Sequence, residues 1–458
     1  MKDILVKDII RETHGLLIQG NENVICENFS RDSRNIKKDD IYIAIKGEKF
    51  DGNLFLKNAL DNGAKVAICQ ELNITKEELN KYKDKTIIKV EDTIKALHQI
   101  AKYKRSLYDI PVVAITGSVG KTSTKDIIAS VVSTKYKTLK TEGNNNNNIG
   151  LPLTILKLKD HEALVVEMGM NHFGEISLLT DIAKPTLAVI TNIGTSHIGN
   201  LGSRENILKA KLEILEGMKI PKIIINNDND LLHNWYKENS EKLEIHTFGI
   251  ESNSEVMGKD IKMQEESSEF TAVTDSKETN IKVPVGGEHF VYNALCAMTV
   301  GKVLNIPVDK IQYGIESFEL TKKRMDIKKL ENGAIIINDA YNASFESMKV
   351  SLEFLANHTG ERKIAVLGDM FELGEYSEEL HRKVGKEVVK NNIDMLICAG
   401  ENAKYIIEEV KKNSKIETYF MHNNEEIVEK LSQELRNGDV VLVKASNGMK
   451  FFEICQKV

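Results

Sequence analysis

The 458-residue chain lacks three features, each of which would assign it to a different class of protein. It has no excess of positive charge. Its 62 Lys and Arg stand against 68 Asp and Glu, a formal net charge of −6 with both signs interspersed. That argues against nucleic acid or an anionic membrane surface as the main partner. It has no uninterrupted apolar run long enough to span a bilayer, and its first ten residues, MKDILVKDII, carry charges where a signal peptide needs its apolar core. It has few cysteines. The five (Cys26, Cys69, Cys296, Cys398, Cys455) are odd in number, widely spaced and set in apolar company such as Ala67-Ile68-Cys69, which excludes a disulfide frame or a cysteine metal cluster. These absences predict a soluble, cytoplasmic protein with reduced thiols. Any anionic substrate must be met by local positive charge, and the length predicts two to three domains.

What is present centres on Pro111 to Thr124, PVVAITGSVGKTST. The β-branched run Val112, Val113, Ile115 reads as a buried strand and Gly117 to Gly120 as a tight loop. From Lys121 a helix follows, with Ile127, Ile128, Val131 and Val132 on its apolar face. In a strand–loop–helix of this kind the N–H groups of Gly117, Ser118, Val119, Gly120 and Ser123 converge on one spot. Lys121 adds a positive charge, and the Thr122 hydroxyl can take a Mg²⁺ that bridges phosphates. The residues match the short form G-x-x-G-K-T, because Ile115 occupies the position where the longer phosphate-loop pattern has its first glycine. The ligand this implies is a nucleoside triphosphate.

Three blocks follow from the pattern. Residues 1 to 108 alternate short strands and helices, with hydroxyls, basic groups and glycines gathered around Ser30–Arg34 and Lys46–Gly52; such groups suit a diphosphate, and composition alone also allows a plain solvated loop. Residues 109 to 320 repeat strand and helix, with strands over 112–116, 163–167, 187–191 and 223–226, which describes a parallel sheet with ligands at the carboxyl ends of its strands. Glu167 closes the second of these strands, and Thr191 and Asn192 close the third and lead to His197, making Glu167 and His197 candidates to reach a Mg²⁺. The asparagine run 144–148 between Gly143 and Gly150 reads as an ordered polar loop over the same site. The polar stretch 251–278 reads as exposed hairpins with no chemistry of their own. Residues 321 to 458 form a third block of the same class, with strands over 334–338, 364–367, 395–398 and 440–443. This block has no phosphate loop, so it is expected to close over a nucleotide bound elsewhere.

Set together, these motifs resemble the Mur ligase family, ATP-dependent enzymes that add amino acids to the peptidoglycan precursor. The match spans essentially the whole chain. Glu167-Met168-Gly169-Met170-Asn171-His172, Asp339-Ala340-Tyr341-Asn342-Ala343 and Gly368-Asp369-Met370-Phe371-Glu372-Leu373-Gly374 are similar to the branch that adds D-alanyl-D-alanine to UDP-N-acetylmuramoyl-tripeptide. The alternative is another ligase of the same superfamily, including a folylpolyglutamate-type enzyme. The resemblance implies an α/β protein of three domains. A central parallel-sheet P-loop ATPase domain would be flanked by an N-terminal α/β UDP-binding domain and a C-terminal Rossmann-like domain, working as a monomer.

Residue by residue, the resemblance implies that Lys121 acts on the phosphates and that Thr122 and Glu167 hold one Mg²⁺. A second would be held by His197 and by Lys211, the latter after carbamylation. Asn293 would face the adenine, with Arg324, Asp339, Tyr341 and Asn342 completing the nucleotide site. Ser33, Lys46, Gly47 and Asp51 would grip the uridine diphosphate, and Asn144, Asn146 and Asn147 would face the muramoyl peptide. The chain departs from the family pattern at Asn53, Phe290, Ser344-Phe345 and Asn447.

Overall fold

Strand Val112–Thr116 is buried at every residue, as its β-branched composition requires of a strand covered on both faces. In the computed structural model, which describes residues 2–47, 50–319 and 326–458, it lies inside a nine-stranded sheet. Ala163–Glu167 pairs with it in parallel on one side and Leu187–Ile190 on the other. The chain order therefore reverses about this strand. At such a switch point the crevice beyond the carboxyl ends of the strands is left open for a ligand. Helix Lys121–Ser133 follows the loop and buries Ile127, Ile128, Val131 and Val132, packing against helices Glu288–Val303 and Val308–Glu316. A fully buried Val or Ile contributes about 1.5–3 kcal/mol, so this face fixes the helix firmly behind the phosphate loop.

The same sheet continues in parallel through Lys222–Asn226, Glu244–Gly249 and Val256–Met263. It then turns antiparallel through Ser268–Thr274 and Lys277–Val283. The stretch read as exposed hairpins is thus the antiparallel end of the central sheet. Its inward positions Val256, Phe270, Ala272, Ile281 and Val283 are buried in the core that includes helix Glu288–Val303.

Besides a short pairing of Ile4–Leu5 with Ile25–Cys26, two smaller sheets flank this one. Residues before 108 form a five-stranded sheet in which Phe29–Ser30, Ile41–Ile43, Val66–Cys69 and Thr86–Lys89 run parallel and Leu16–Gln19 joins antiparallel. The third block forms a six-stranded sheet ordered Asp326–Lys329, Ile335–Asn338, Asp439–Lys444, Arg362–Gly368, Met395–Ala399, Glu417–Met421, parallel except at its first edge. The three-domain α/β architecture agrees with the sequence reading. All five cysteines are free and buried. Among the described residues, no helix is long and apolar enough to cross a membrane.

Candidate active site

The chain leaves strand Val112–Thr116 through Gly117, at φ +153°, packed so closely on the neighbouring strand end that a Cβ there would lie 2.0 Å from Thr191 Oγ1. Only glycine fits. The loop is tied to the strand end beside it. Ser118 N donates to Asn192 O at 3.0 Å and Val119 N to Asn192 Oδ1 at 2.9 Å. Val119 O accepts from Thr191 Oγ1 at 2.8 Å and Asn192 Nδ2 at 2.9 Å. Lys121 Nζ folds over the loop and donates to Gly117 O at 2.8 Å and Ser118 O at 3.2 Å. The Ser118 and Val119 amides, expected from the sequence to face the ligand, are thus taken by Asn192; a positive charge and the N-terminus of the helix still share one place, the requirements of an anion site.

Beside this loop, Glu167 is 2% exposed, and both its oxygens have donors: Thr122 Oγ1 at 2.9 Å and Asn146 Nδ2 at 2.7 Å. A buried carboxylate needs such partners. A hydroxyl oxygen and a carboxylate held together beside a phosphate site form the hard-oxygen donor set that Mg²⁺ prefers. Asn146 reaches Glu167 from the asparagine run, whose Asn147 Oδ1 accepts from Gly150 N at 2.8 Å where the next helix begins. Asn146 and Asn147 line the cavity; Asn144 is exposed and does not.

The cavity, about 470 Å³, lies between the central and third domains. From the third domain come Asp339, Tyr341, Asn342 and Lys444. Lys444, 2% exposed, is ion-paired with Asp339; its Nζ also donates to Asn342 O at 3.2 Å, and Ser351 Oγ donates to Asp339 Oδ2 at 2.7 Å. From the central domain come Phe248, His289, Phe290, Tyr292 and Asn293. Desolvation pushes the His289 imidazole down to about 4, so it is neutral at physiological pH. Asn293 Oδ1 accepts from Thr124 Oγ1 at 2.8 Å, while its Nδ2 is buried with no partner among the described residues. A buried, unanswered donor on the cavity wall fits a ligand acceptor, as the ring nitrogens of adenine would supply. Arg324 lies outside the described residues.

His197 stands at the start of helix Ile198–Leu201 with a left-handed backbone, φ +65°. Its Nδ1 is 2.5 Å from Glu372 Oε2 of the third domain, an interaction that holds the Glu372 carboxyl below its ordinary value. Lys211, on helix Arg204–Leu212, is 1% exposed. Burial first, and the nearby Lys121 charge second, push its amine well below the ordinary lysine value. Among the described residues no group of three or more His, Cys, Asp and Glu side chains is arranged to hold a metal. An imidazole and an amine are by themselves a poor Mg²⁺ set.

The first-domain residues do not line this cavity. Lys46 is exposed and pairs with Glu71 at 2.8 Å and Asp51 at 3.7 Å. Gly47 N donates to Phe50 O at 2.8 Å, and Ser33 is buried at the start of a short helix. Asn53 is fully buried: its Nδ2 donates to Asp51 Oδ1 at 2.7 Å, and its Oδ1 accepts from the backbone of Gln70 and Glu71. That departure from the family pattern thus secures the Asp51 turn. Sequence reasoning missed Lys444, His289, Glu346 and Glu372. Glu372 lay within a quoted motif and Lys444 directly follows the strand read over 440–443, but nothing in the chain order pairs either with its partner.

Three family models match the chain: Mur ligase family, catalytic domain, over residues 27–105; Mur ligase middle domain over 115–301; and Mur ligase, glutamate ligase domain, over 323–447. The Bacillus subtilis protein named UDP-N-acetylmuramoyl-tripeptide--D-alanyl-D-alanine ligase is 36% identical over 454 residues, covering 98% of this chain and 97% of its own length. The chain belongs to the Mur ligase family. Among solved structures, MurF from Acinetobacter baumannii superposes with a TM-score of 0.88 at 28% identity, covering 99% of this chain and 98% of that one. The Thermotoga maritima MurF ligase in complex with ADP gives 0.80 at 30% identity, covering 94% and 96%. The Mur ligase domain order thus follows that of the three sheets.

Proposed function

We propose that this protein joins D-alanyl-D-alanine to UDP-N-acetylmuramoyl-tripeptide at the expense of ATP, in peptidoglycan precursor synthesis in the cytoplasm. The observation that carries this reading is the cavity in which the phosphate loop and Glu167 of one domain face Asp339 and Lys444 of another. Nearly full-length likeness to ligases of that name supports it. The working unit is a monomer of three domains, residues 1–108 for the uridine diphosphate, 109–320 for ATP and 321–458 closing the cavity.

A carboxylate does not form an amide unaided, because its oxygen is a poor leaving group. The terminal carboxylate of the tripeptide attacks the γ-phosphorus of ATP, and the bond from that phosphorus to the bridging oxygen breaks, giving an acyl phosphate and ADP. The amine of D-alanyl-D-alanine then adds to the acyl carbon, loses a proton, and phosphate departs from the tetrahedral intermediate. The protein's task is positioning and charge. Lys121 and the N–H groups of Gly120 to Ser123 hold the phosphates against the approaching anion, the Ser118 and Val119 amides being engaged by Asn192. Thr122 and Glu167 would hold one Mg²⁺, and His197 with carbamylated Lys211 a second, whose chemistry is to offset phosphate charge. Asn293, Asp339, Tyr341 and Asn342 hold the nucleoside. Ser33, Lys46, Gly47 and Asp51 take the uridine diphosphate, with Asn144, Asn146 and Asn147 towards the peptide. Closure of the third domain keeps water from the acyl phosphate.

Mass analysis of the product after incubation with ATP, the UDP-tripeptide and a panel of amines tests this. A product larger by one dipeptide with D-alanyl-D-alanine supports the reading; a product only with a single amino acid moves the chain to another branch.

A further inference from the structure

The stretch 192–199 of the central domain, a loop running into helix Ile198–Leu201, is gripped from the third domain by two carboxylates. At one end Glu346, in the first turn of helix Phe345–Asn357, accepts from Thr195 N at 2.7 Å and Thr195 Oγ1 at 3.1 Å. The approach is close: a Cβ on Gly194 would lie 2.6 Å from the Glu346 carboxyl carbon. At the other end Glu372 meets His197 Nδ1 at 2.5 Å, and its carbonyl accepts from Gly199 N at 3.0 Å. Here too there is no room for a side chain, since a Cβ on Gly199 would lie 2.5 Å from Gly374 N.

Between these grips the loop supports the phosphate site. Gly194 N donates to Ser118 Oγ at 2.9 Å, and Ser196 Oγ donates to Ser118 O at 3.3 Å. Ser118 is therefore held by the residues on either side of Thr195, the residue that Glu346 fixes. His197 and Glu372 both adopt the left-handed backbone, φ +65° and +63°. For non-glycine residues that conformation persists only where the surroundings impose it, and such positions concentrate at functional sites. Two strained residues meeting across a domain boundary indicate a contact built for its geometry.

We propose that Glu346 and Glu372 are positioning residues, through which the third domain sets the phosphate loop and orients His197. Glu346 acts through Thr195 and Gly194 on Ser118. Glu372 acts by fixing one ring nitrogen of His197, and with it the orientation of the ring. Nucleotide affinity thereby depends on a residue outside the phosphate loop, and turnover depends on a carboxylate carried by another domain. Only the turnover arm of the test rests on the ligase reading given above.

Equilibrium binding of ADP by calorimetry, with no second substrate, tests Glu346. Glu346→Ala should weaken ADP about tenfold, while Glu346→Gln, which keeps an acceptor for the Thr195 amide, should recover affinity to within about threefold. Steady-state kinetics test Glu372. Glu372→Ala should lower kcat about tenfold with KM for ATP within about twofold, and should have no further effect in a His197→Ala background, because the two act as one unit. Melting temperatures of the variants within a few degrees of the parent exclude loss of the fold. ADP affinity unchanged in Glu346→Ala would overturn the proposal. So would a loss on Glu372→Ala that persists in full in the His197→Ala background. Failure of the ligase reading would leave the ADP result standing, so the two failures are distinguishable.

Discussion

The Thr122 hydroxyl donates to the Glu167 carboxylate at 2.9 Å, across 45 residues of sequence and with both side chains buried. Each group sits at the edge of the phosphate site because of the element that bears it: Thr122 in the first turn after the loop, Glu167 as the last residue of the adjacent parallel strand. Thr122→Ala removes one of the two side-chain donors on a carboxylate that burial has stripped of water. We expect a stability loss of about 1–3 kcal/mol and a higher Mg²⁺ concentration for half-maximal turnover. Chemical denaturation and a Mg²⁺ titration of rate check the two effects separately.

Lys121 folds over Gly117 O and Ser118 O and contributes charge rather than packing. Lys121→Ala should lower turnover on the order of 10²–10³-fold, the cost of removing one donor from a preorganised site, with little change in melting temperature. Wild-type turnover in that variant contradicts the role.

Lys211 presents the opposite balance. The residue is 1% exposed, the charge of Lys121 adds to burial in lowering the pKa of its amine, and no hydrogen bond or ion pair reaches that amine among the described residues. Lys211→Met keeps the volume and removes the polar atom. In bicarbonate-free buffer it should hold or raise stability, by up to about 1–3 kcal/mol, while abolishing turnover. A less stable but active variant would contradict both the burial argument and the metal role.

The strand, loop and helix around Lys121 were legible because each is a local pattern: an unbroken β-branched run, glycines where the chain must turn sharply, then a 3.6-residue apolar period. The strand end that carries Glu167 followed from the same rule for parallel sheets, whereas His197 lies seven residues past the end of strand Leu187–Ile190, at the start of a short helix. Two edges of the structure were not legible. Glu417–Met421 borders its sheet with no fully buried residue, and Asp326–Lys329 is exposed throughout, so neither shows the apolar run that marked the inner strands. The hairpins over 256–283 alternate buried and exposed residues, and their charged outer faces masked the inner ones. The contacts of Lys444 with Asp339 and Glu372 with His197 span 105 and 175 residues. Only tertiary packing brings them together, and the chemistry at the cleft mouth was hidden for that reason.

His381 is buried against the loop that carries Glu372. Its Nε2 accepts from Met370 N at 3.0 Å and its Nδ1 lies 2.7 Å from Ser377 O, an arrangement only the neutral ring allows. Burial lowers its affinity for a proton below the ordinary 6.5. The unfolded chain therefore binds the proton more readily. The His381 contribution is complete above pH 6.5 and is lost as pH falls through the folded-state value, with a slope of at most about 1.4 kcal/mol per pH unit. His98, His161 and His289 are shifted the same way. Replacing His381 by Gln should remove one part of the acid-side slope in urea-melt stability, and an unchanged slope would contradict the assignment.

The most direct test of the central claim is phosphate release from ATP and Mg²⁺ by the purified protein, with UDP-N-acetylmuramoyl-tripeptide and D-alanyl-D-alanine added singly and together. The account predicts sustained release only with both present, in step with formation of the joined product. Release that ignores the amine, or no release with both substrates, would contradict it.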